Sequence, residues 1–192
     1  MAVQRINRLT IVAAIVGILV STYALYVELV AEANPTYKAL CDISERASCS
    51  KVLTSKYSKG FGFAAEGSAL KVPNCVYGII FYCLMIFLNG GPESVNSNRS
   101  RLLAFSVALT DPFTLIPCFK AVFSWRTLNH TIAGNLQLLL CSTSLLTCLY
   151  LAYLLAFVLK DFCVVCVSTY FVNISITILV YMKRKIIMNK QK

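Results

Sequence analysis

The sequence predicts an all-α integral membrane protein, a four-transmembrane-helix bundle, from three observations. The 192 residues are 58% hydrophobic and 14% charged, with a mean hydropathy of +0.71. That is too apolar for a soluble domain and suits a single membrane domain over residues 1–192. The apolar residues gather into runs of the length that crosses a bilayer, roughly 20 residues of helix. The formal charge of +10 sits at the chain ends and between those runs. With no basic face or RNA motif, it speaks for membrane topology and against nucleic-acid binding.

The first run, Leu9 to Val30 (9–30), is interrupted by Ser21 and Thr22 and carries Tyr23 and Tyr26 where an interface belt would lie. A cleaved signal peptide is the competing reading, from Arg5, Arg8 and the Ala31-Glu32-Ala33 triplet, but the apolar run is too long for one. The second, 74–89, opens behind Pro73 and ends at Asn89-Gly90-Gly91-Pro92, so it spans only if tilted or shielded. Runs 136–159 and 163–182 are the clearest, split by Lys160-Asp161 as a tight turn at one membrane face.

Residues 102–123 are also apolar, but Asp111, Pro112 and Pro117 interrupt them. A fifth span would also put the two ends on opposite faces, whereas Arg5 and Arg8 at one end and Lys183, Arg184, Lys185, Lys190 and Lys192 at the other favour the same cytoplasmic side. With four spans, loop 31–73 and the turn at 160–163 share the far side, and 89–135 is a cytoplasmic insertion.

That topology brings cysteines together. Of nine, Cys41 and Cys49 lie in the far-side loop, and Cys163-Val-Val-Cys166 places a dithiol at the mouth of the last span, where a helix N-terminus favours a thiolate. All four face one oxidising compartment, which points to the endoplasmic reticulum lumen. Cys41 and Cys49 would stand about 12 Å apart along a straight helix, so pairing them requires the chain between to turn or unwind. The loop pair reads either as a transferable disulfide or as a plain staple beside two packed membrane thiols. Cys75, Cys83, Cys141 and Cys148 occur singly in apolar runs and read as packing, and Cys118 falls in the cytoplasmic stretch. The single histidine, His130, lies on the side opposite both cysteine pairs, so no metal is assigned. Tyr57, Phe61 and Phe63 interleaved with Lys51, Lys56, Lys59 and Lys71 suit either an amphipathic piece at the bilayer surface or an ordinary solvated loop.

Five motifs recur in order: Ala39-Leu40-Cys41-Asp42 with Ser48-Cys49-Ser50, then Lys59-Gly60-Phe61-Gly62-Phe63, then Pro73-Asn74-Cys75-Val76-Tyr77-Gly78, and finally Asp161-Phe162-Cys163-Val164-Val165-Cys166 with Thr169-Tyr170. With them the chain resembles the vitamin K epoxide reductase family. The resemblance implies a four-span bundle with a lumenal loop cap, an endoplasmic reticulum membrane location with both termini cytoplasmic, and reduction of vitamin K quinone and epoxide as substrates without a tightly bound cofactor. It implies Cys163 and Cys166 as the active dithiol, Cys166 nearest the quinone. Cys49 is then the loop thiol that exchanges with Cys163, and Cys41 the one that accepts electrons from a lumenal thioredoxin-like oxidoreductase. Asn74 and Tyr170 would hydrogen-bond the quinone oxygens, and Tyr77 would pack on the ring.

The physics of those roles is coherent. Cys166 and Tyr170 are four residues apart and share a helix face, and a quinone needs an apolar slot with a few fixed polar groups. Without the resemblance, Asn74 reads rather as a helix cap behind Pro73 and Tyr170 as an interface-belt tyrosine. The resemblance breaks at 89–135, where relatives have a short turn. Sequons at Asn98 and Asn129 test that segment, since glycosylation there would place it in the lumen. Two other functions compete: a general quinone-linked disulfide-generating oxidase, and a non-enzymatic four-span scaffold with a structural loop disulfide.

Overall fold

Helix dominates because unbroken apolar sequence in lipid must satisfy its backbone internally. The computed structural model describes residues 2–34, 36–44, 46–63, 67–68, 70–89 and 130–190. Helix α1 is Ala2–Ala33, α2 Cys49–Leu53, α3 Asn74–Asn89, α4 His130–Tyr153 and α5 Val164–Lys190. A π-helical stretch, Leu154–Leu159, continues α4 and ends at Lys160 in the left-handed conformation (φ 54°). The described residues contain no strand, and two isolated bridges, Ser44 to Ala47 and Lys59 to Pro73, pin the loop between α1 and α3. The 102–123 run, Cys118, both sequon asparagines and most of the 89–135 insertion lie outside the described residues.

The expected spans correspond to α1, α3, α4 with its π stretch, and α5. Three helices run further than expected: α1 begins at Ala2 rather than 9, α4 at His130 rather than 136, and α5 reaches Lys190 rather than 182. Hydropathy marks where lipid ends, whereas the backbone ladder continues until a capping or breaking residue stops it. Among the described residues, three stretches are long and apolar enough to cross a membrane: Ala2–Ala33, Ala133–Leu159 and Val164–Asn189. Helix α3, at 16 residues, is about 24 Å long and falls short of the roughly 30 Å hydrocarbon core. Leu9, Val12, Leu19, Leu146, Phe171 and Ile178 are exposed and make an apolar outer surface suited to lipid.

Helix α1 packs along α3 and α5, α4 packs along α5, and α4 also touches α3, so the four long helices form a ring. Small residues set the α1 contact: Thr10, Ala14, Gly17, Ser21 and Ala24 recur every third or fourth residue and are buried. The ring of Tyr82 on α3, itself 1% exposed, lies against Gly17 so closely that a Cβ there would fall inside it. Gly17→Ala should therefore destabilise the bundle by about 1–3 kcal/mol, read as earlier thermal unfolding in detergent. An unchanged transition would mean that the Tyr82 ring moves aside freely. The inner cores are two. One holds Ala14, Tyr82, Met85, Cys141, Ile176 and Val180; the other gathers Ala24, Val27, Cys49, Val52, Leu155 and Cys163 at the end of the bundle where the loop docks.

Candidate active site

The loop pair closes because the chain between its cysteines turns back. Residues 44–47 make that turn, and the Cys41–Cys49 disulfide spans a Cα separation of 5.8 Å, well under the 12 Å or so of a straight helix. Asp42 organises the turn. It accepts the Ala39 amide (2.9 Å), the Ser48 hydroxyl (3.0 Å), the Ser50 amide (3.0 Å) and the Ser50 hydroxyl. Burial pushes its carboxyl up, but the bonds from Ser50, Ala39 and Ser48 outweigh that and hold it below the usual range. Cys41, Asp42 and Cys49 bring three potential metal donors within 4.8 Å of one another. Both sulfurs are committed to the disulfide and the carboxylate to its four donors, so this cluster does not suit an ion.

The second pair sits where α5 begins. Cys163 is fully buried, and its Sγ accepts the amide of Cys166 at 3.2 Å, taking the place of a capping oxygen. Both Cys163 and Cys166 are free thiols.

Two contacts dock the loop on this turn. Lys160 ends the π stretch by reversing the chain, Asp161 pairs with Lys51 at 2.9 Å, and the Phe162 amide donates to the Arg46 carbonyl at 2.7 Å. Arg46 and Lys51 flank Cys49, so the turn carrying Cys163 is tied down on either side of it. Cys49 and Cys163 belong to one buried cluster, against which Cys41, Cys75 and Cys166 also pack.

Beside that cluster lies a cavity of about 430 Å³, open to Asn74, Tyr77, Cys166 and Tyr170 together. The structure thus gathers all the residues expected to handle a quinone around one space. Among the described residues nothing hydrogen-bonds the Tyr170 hydroxyl. Tyr77 donates to the Leu70 carbonyl (2.8 Å), and its ring lies 5.2 Å from that of Phe61.

Asn74 does not cap a helix. Its Oδ1 accepts the Phe61 amide (2.9 Å) and its Nδ2 donates to the Tyr57 carbonyl (2.7 Å). One N–H remains, because a primary amide has two. These bonds hold an unusual segment: Gly60, Phe61 and Gly62 all have positive φ (56°, 56° and 78°). For Phe61 that geometry costs about 1–3 kcal/mol. The Asn74 bond and a second from the Tyr150 hydroxyl to the Phe61 carbonyl (3.2 Å) offset the cost. The described residues of segment 51–71 accordingly form the end of a short helix and a string of turns, with Phe61 lining the cavity and Phe63 exposed and stacked on Tyr150.

The model of the vitamin K epoxide reductase family matches residues 8–181 of this sequence. The chain belongs to that family. It is 29% identical over 181 residues to vitamin K epoxide reductase complex subunit 1 of Rattus norvegicus, covering 92% of this chain and 89% of the relative. To the protein of the same name from Mus musculus it is 29% identical over 171 residues, covering 87% and 83%. Membership of the vitamin K epoxide reductase family, the apolar helices and the loop disulfide together support a membrane oxidoreductase.

Two residues of this family member escaped the sequence reading. Glu28 falls inside the 9–30 run, is 1% exposed and lines the cavity. Cys75, besides packing against the core as expected, donates its S–H to Glu28 Oε2 (3.6 Å). The signal for Glu28 was available, since a lone carboxylate inside an apolar span marks a functional position. Nothing local pointed to its pairing with Cys75.

Proposed function

We propose that this chain is a four-span reductase of vitamin K quinone and vitamin K 2,3-epoxide in the endoplasmic reticulum membrane, with both termini cytoplasmic and loop 31–73 as a lumenal cap. The observation that carries the reading is the single cavity lined by Asn74, Tyr77, Cys166 and Tyr170, beside a cluster holding Cys49 and Cys163. The quinone occupies that cavity as substrate, and no tightly bound cofactor is required.

In this mechanism the Cys166 thiolate adds to a ring carbon, and the electron pair moves onto an oxygen that Asn74 and Tyr170 hydrogen-bond. Cys163 then attacks the Cys166 sulfur. The S–S bond forms, the S–C bond breaks, and two electrons stay on the ring. Quinone becomes hydroquinone, and epoxide becomes quinone and water, the two thiol protons ending on product oxygen. Cys49 thiolate next attacks the new disulfide at Cys163, Cys41 closes onto Cys49, and a lumenal thioredoxin-like protein reduces the Cys41–Cys49 bond through Cys41. The oxidised loop pair and free Cys163 and Cys166 correspond to the state in which the loop has handed its electrons on and the active dithiol awaits substrate.

The test is turnover of vitamin K epoxide and vitamin K quinone by microsomes expressing this chain, driven by dithiothreitol and, separately, by a reduced thioredoxin-like protein. Product above that of control membranes is expected with either donor. Absence of product from both substrates, with the chain in the membrane and its loop disulfide formed, would overturn the reading.

A further inference from the structure

The proposed reaction moves protons as well as electrons, and the residues discussed so far leave open how a proton crosses from the dithiol to the substrate. Glu28 is the one carboxylate among the described residues that lines the cavity. A buried carboxylate in lipid carries a large solvation cost unless its neighbours hold it. Its neighbours are specific. Oε2 receives the Cys75 S–H (3.6 Å), and Oε1 lies 3.3 Å from the Ser58 hydroxyl.

Ser58 has one hydroxyl hydrogen and two acceptors within reach, the Ser55 carbonyl at 2.8 Å and Glu28 Oε1 at 3.3 Å. The shorter bond takes the hydrogen. That leaves Ser58 Oγ with a lone pair toward Glu28, able to accept a hydrogen bond from a proton on Oε1. The site therefore accommodates both forms of the group: a carboxylate holding the Cys75 donor, or a carboxylic acid donating to Ser58. Position matters too. The Asn74 amide donates to the Ser58 carbonyl (2.7 Å), so Glu28, Ser58, Asn74 and Cys75 meet at the end of the cavity where Asn74 would hold a quinone oxygen.

We propose that Glu28 is the proton-exchange group of this cavity, giving a proton to the para-quinone oxygen beside Asn74 and recovering it from the Cys163–Cys166 dithiol. The proposal rests on the quinone-reductase reading. As the Cys166 sulfur adds to the ring, the oxygen beside Asn74 takes the proton of the Glu28 carboxyl. As Cys163 closes the disulfide, its thiol proton returns to Glu28. The second substrate oxygen receives the proton that Cys166 released. Two electrons and two protons leave the dithiol, two of each reach the hydroquinone, and Glu28 ends as it began. Among the described residues, the ionisable groups around Glu28 are Cys75 from α3, Lys59 from the loop, which pairs with Glu32 (2.7 Å) one turn along α1, and, lining the same cavity, Tyr57, Tyr77, Tyr82, Cys148, Cys166 and Tyr170.

The experiment compares wild type, Glu28→Gln, Glu28→Asp and Cys166→Ser in microsomes, with vitamin K quinone as substrate and dithiothreitol as donor, across a pH series. The proposal expects Glu28→Gln to lower kcat at least ~10-fold, within the range general acid catalysis contributes, with KM held and one limb of the pH profile lost. Glu28→Asp should restore the limb. An unchanged kcat and profile in Glu28→Gln, with Cys166→Ser inactive, would overturn the proposal while leaving the reductase reading intact. An inactive wild type would take both down. Should Glu28→Gln fail to accumulate, the wild-type protein decides through infrared difference spectra with carboxyl-labelled glutamate. A glutamate carboxyl band that changes on quinone reduction supports the role, and a silent one rejects it.

Discussion

Serine in place of Cys166 should reduce quinone and epoxide turnover by at least ~10⁴-fold, the scale of loss on removing an enzyme nucleophile. The geometry makes substitution by a neighbour improbable to succeed. Cys166 lines the cavity whereas Cys163, fully buried, does not, so only the former can reach a bound ring. Cys163→Ser should behave differently. It leaves the nucleophile in place and removes the thiol that resolves the adduct, so the product of the first step should remain attached to Cys166 and be detectable by mass spectrometry of the intact protein. Substantial turnover in Cys166→Ser would refute the assignment, since Cys75 or Cys148, the other thiols lining the cavity among the described residues, would then have to be the nucleophile. The loop cysteines give a third phenotype. Cys49→Ser should abolish turnover driven by a thioredoxin-like protein while sparing much of that driven by dithiothreitol, because the small reductant reaches the active disulfide without the relay.

Asn74→Ala should cost about 10- to 100-fold in turnover, for two separable reasons. A buried hydrogen bond lost with its partner left unsatisfied costs about 1–3 kcal/mol, and Asn74 makes two of them, to Phe61 and Tyr57. Their loss frees the positive-φ segment Gly60–Gly62, letting the Phe61 ring leave its contact with Tyr77 and opening the cavity. It also removes the remaining amide N–H from the substrate oxygen. Asn74→Asp separates the two effects in part, because a carboxylate still accepts the Phe61 amide but gives up the bond to the Tyr57 carbonyl and donates nothing to substrate. Tyr150→Phe loosens Phe61 from its carbonyl side without touching the quinone oxygens. If the clamp dominates, Tyr150→Phe should raise KM and Asn74→Asp, which keeps the Phe61 bond, should retain more activity than Asn74→Ala. If substrate donation dominates, Asn74→Asp should lose kcat nearly as fully as Asn74→Ala. Full activity in both Asn74 variants would remove this residue from the mechanism.

How legible these features were depended on the distance over which each is encoded. Hydropathy is a property of consecutive residues, so the apolar runs that became α1, α3, α4 and α5 could be read directly, as could the turn at Lys160-Asp161. Cysteine spacing likewise exposed the Cys163–Cys166 dithiol, and the ordered motifs pointed to the family that the 8–181 match established. Helix ends were less legible: residues beyond the bilayer stay helical as long as nothing breaks the backbone ladder, which is why α1, α4 and α5 exceed their apolar cores.

What the sequence determined by itself was therefore the set of apolar helices and the candidate chemistry they carry, because hydrophobic patterning and motif spacing are local. Only the tertiary structure decided how that chemistry is arranged. Lys51 meets Asp161 from 110 positions away, fixing the loop disulfide beside Cys163. Cys75 meets Glu28 across 47, turning a carboxylate in an apolar span into a candidate proton-exchange group. Asn74 clamps a left-handed phenylalanine 13 residues earlier instead of capping its own helix. Each outcome depends on which side chains helix packing brings within hydrogen-bond reach, and helical periodicity along one segment carries no record of its neighbours.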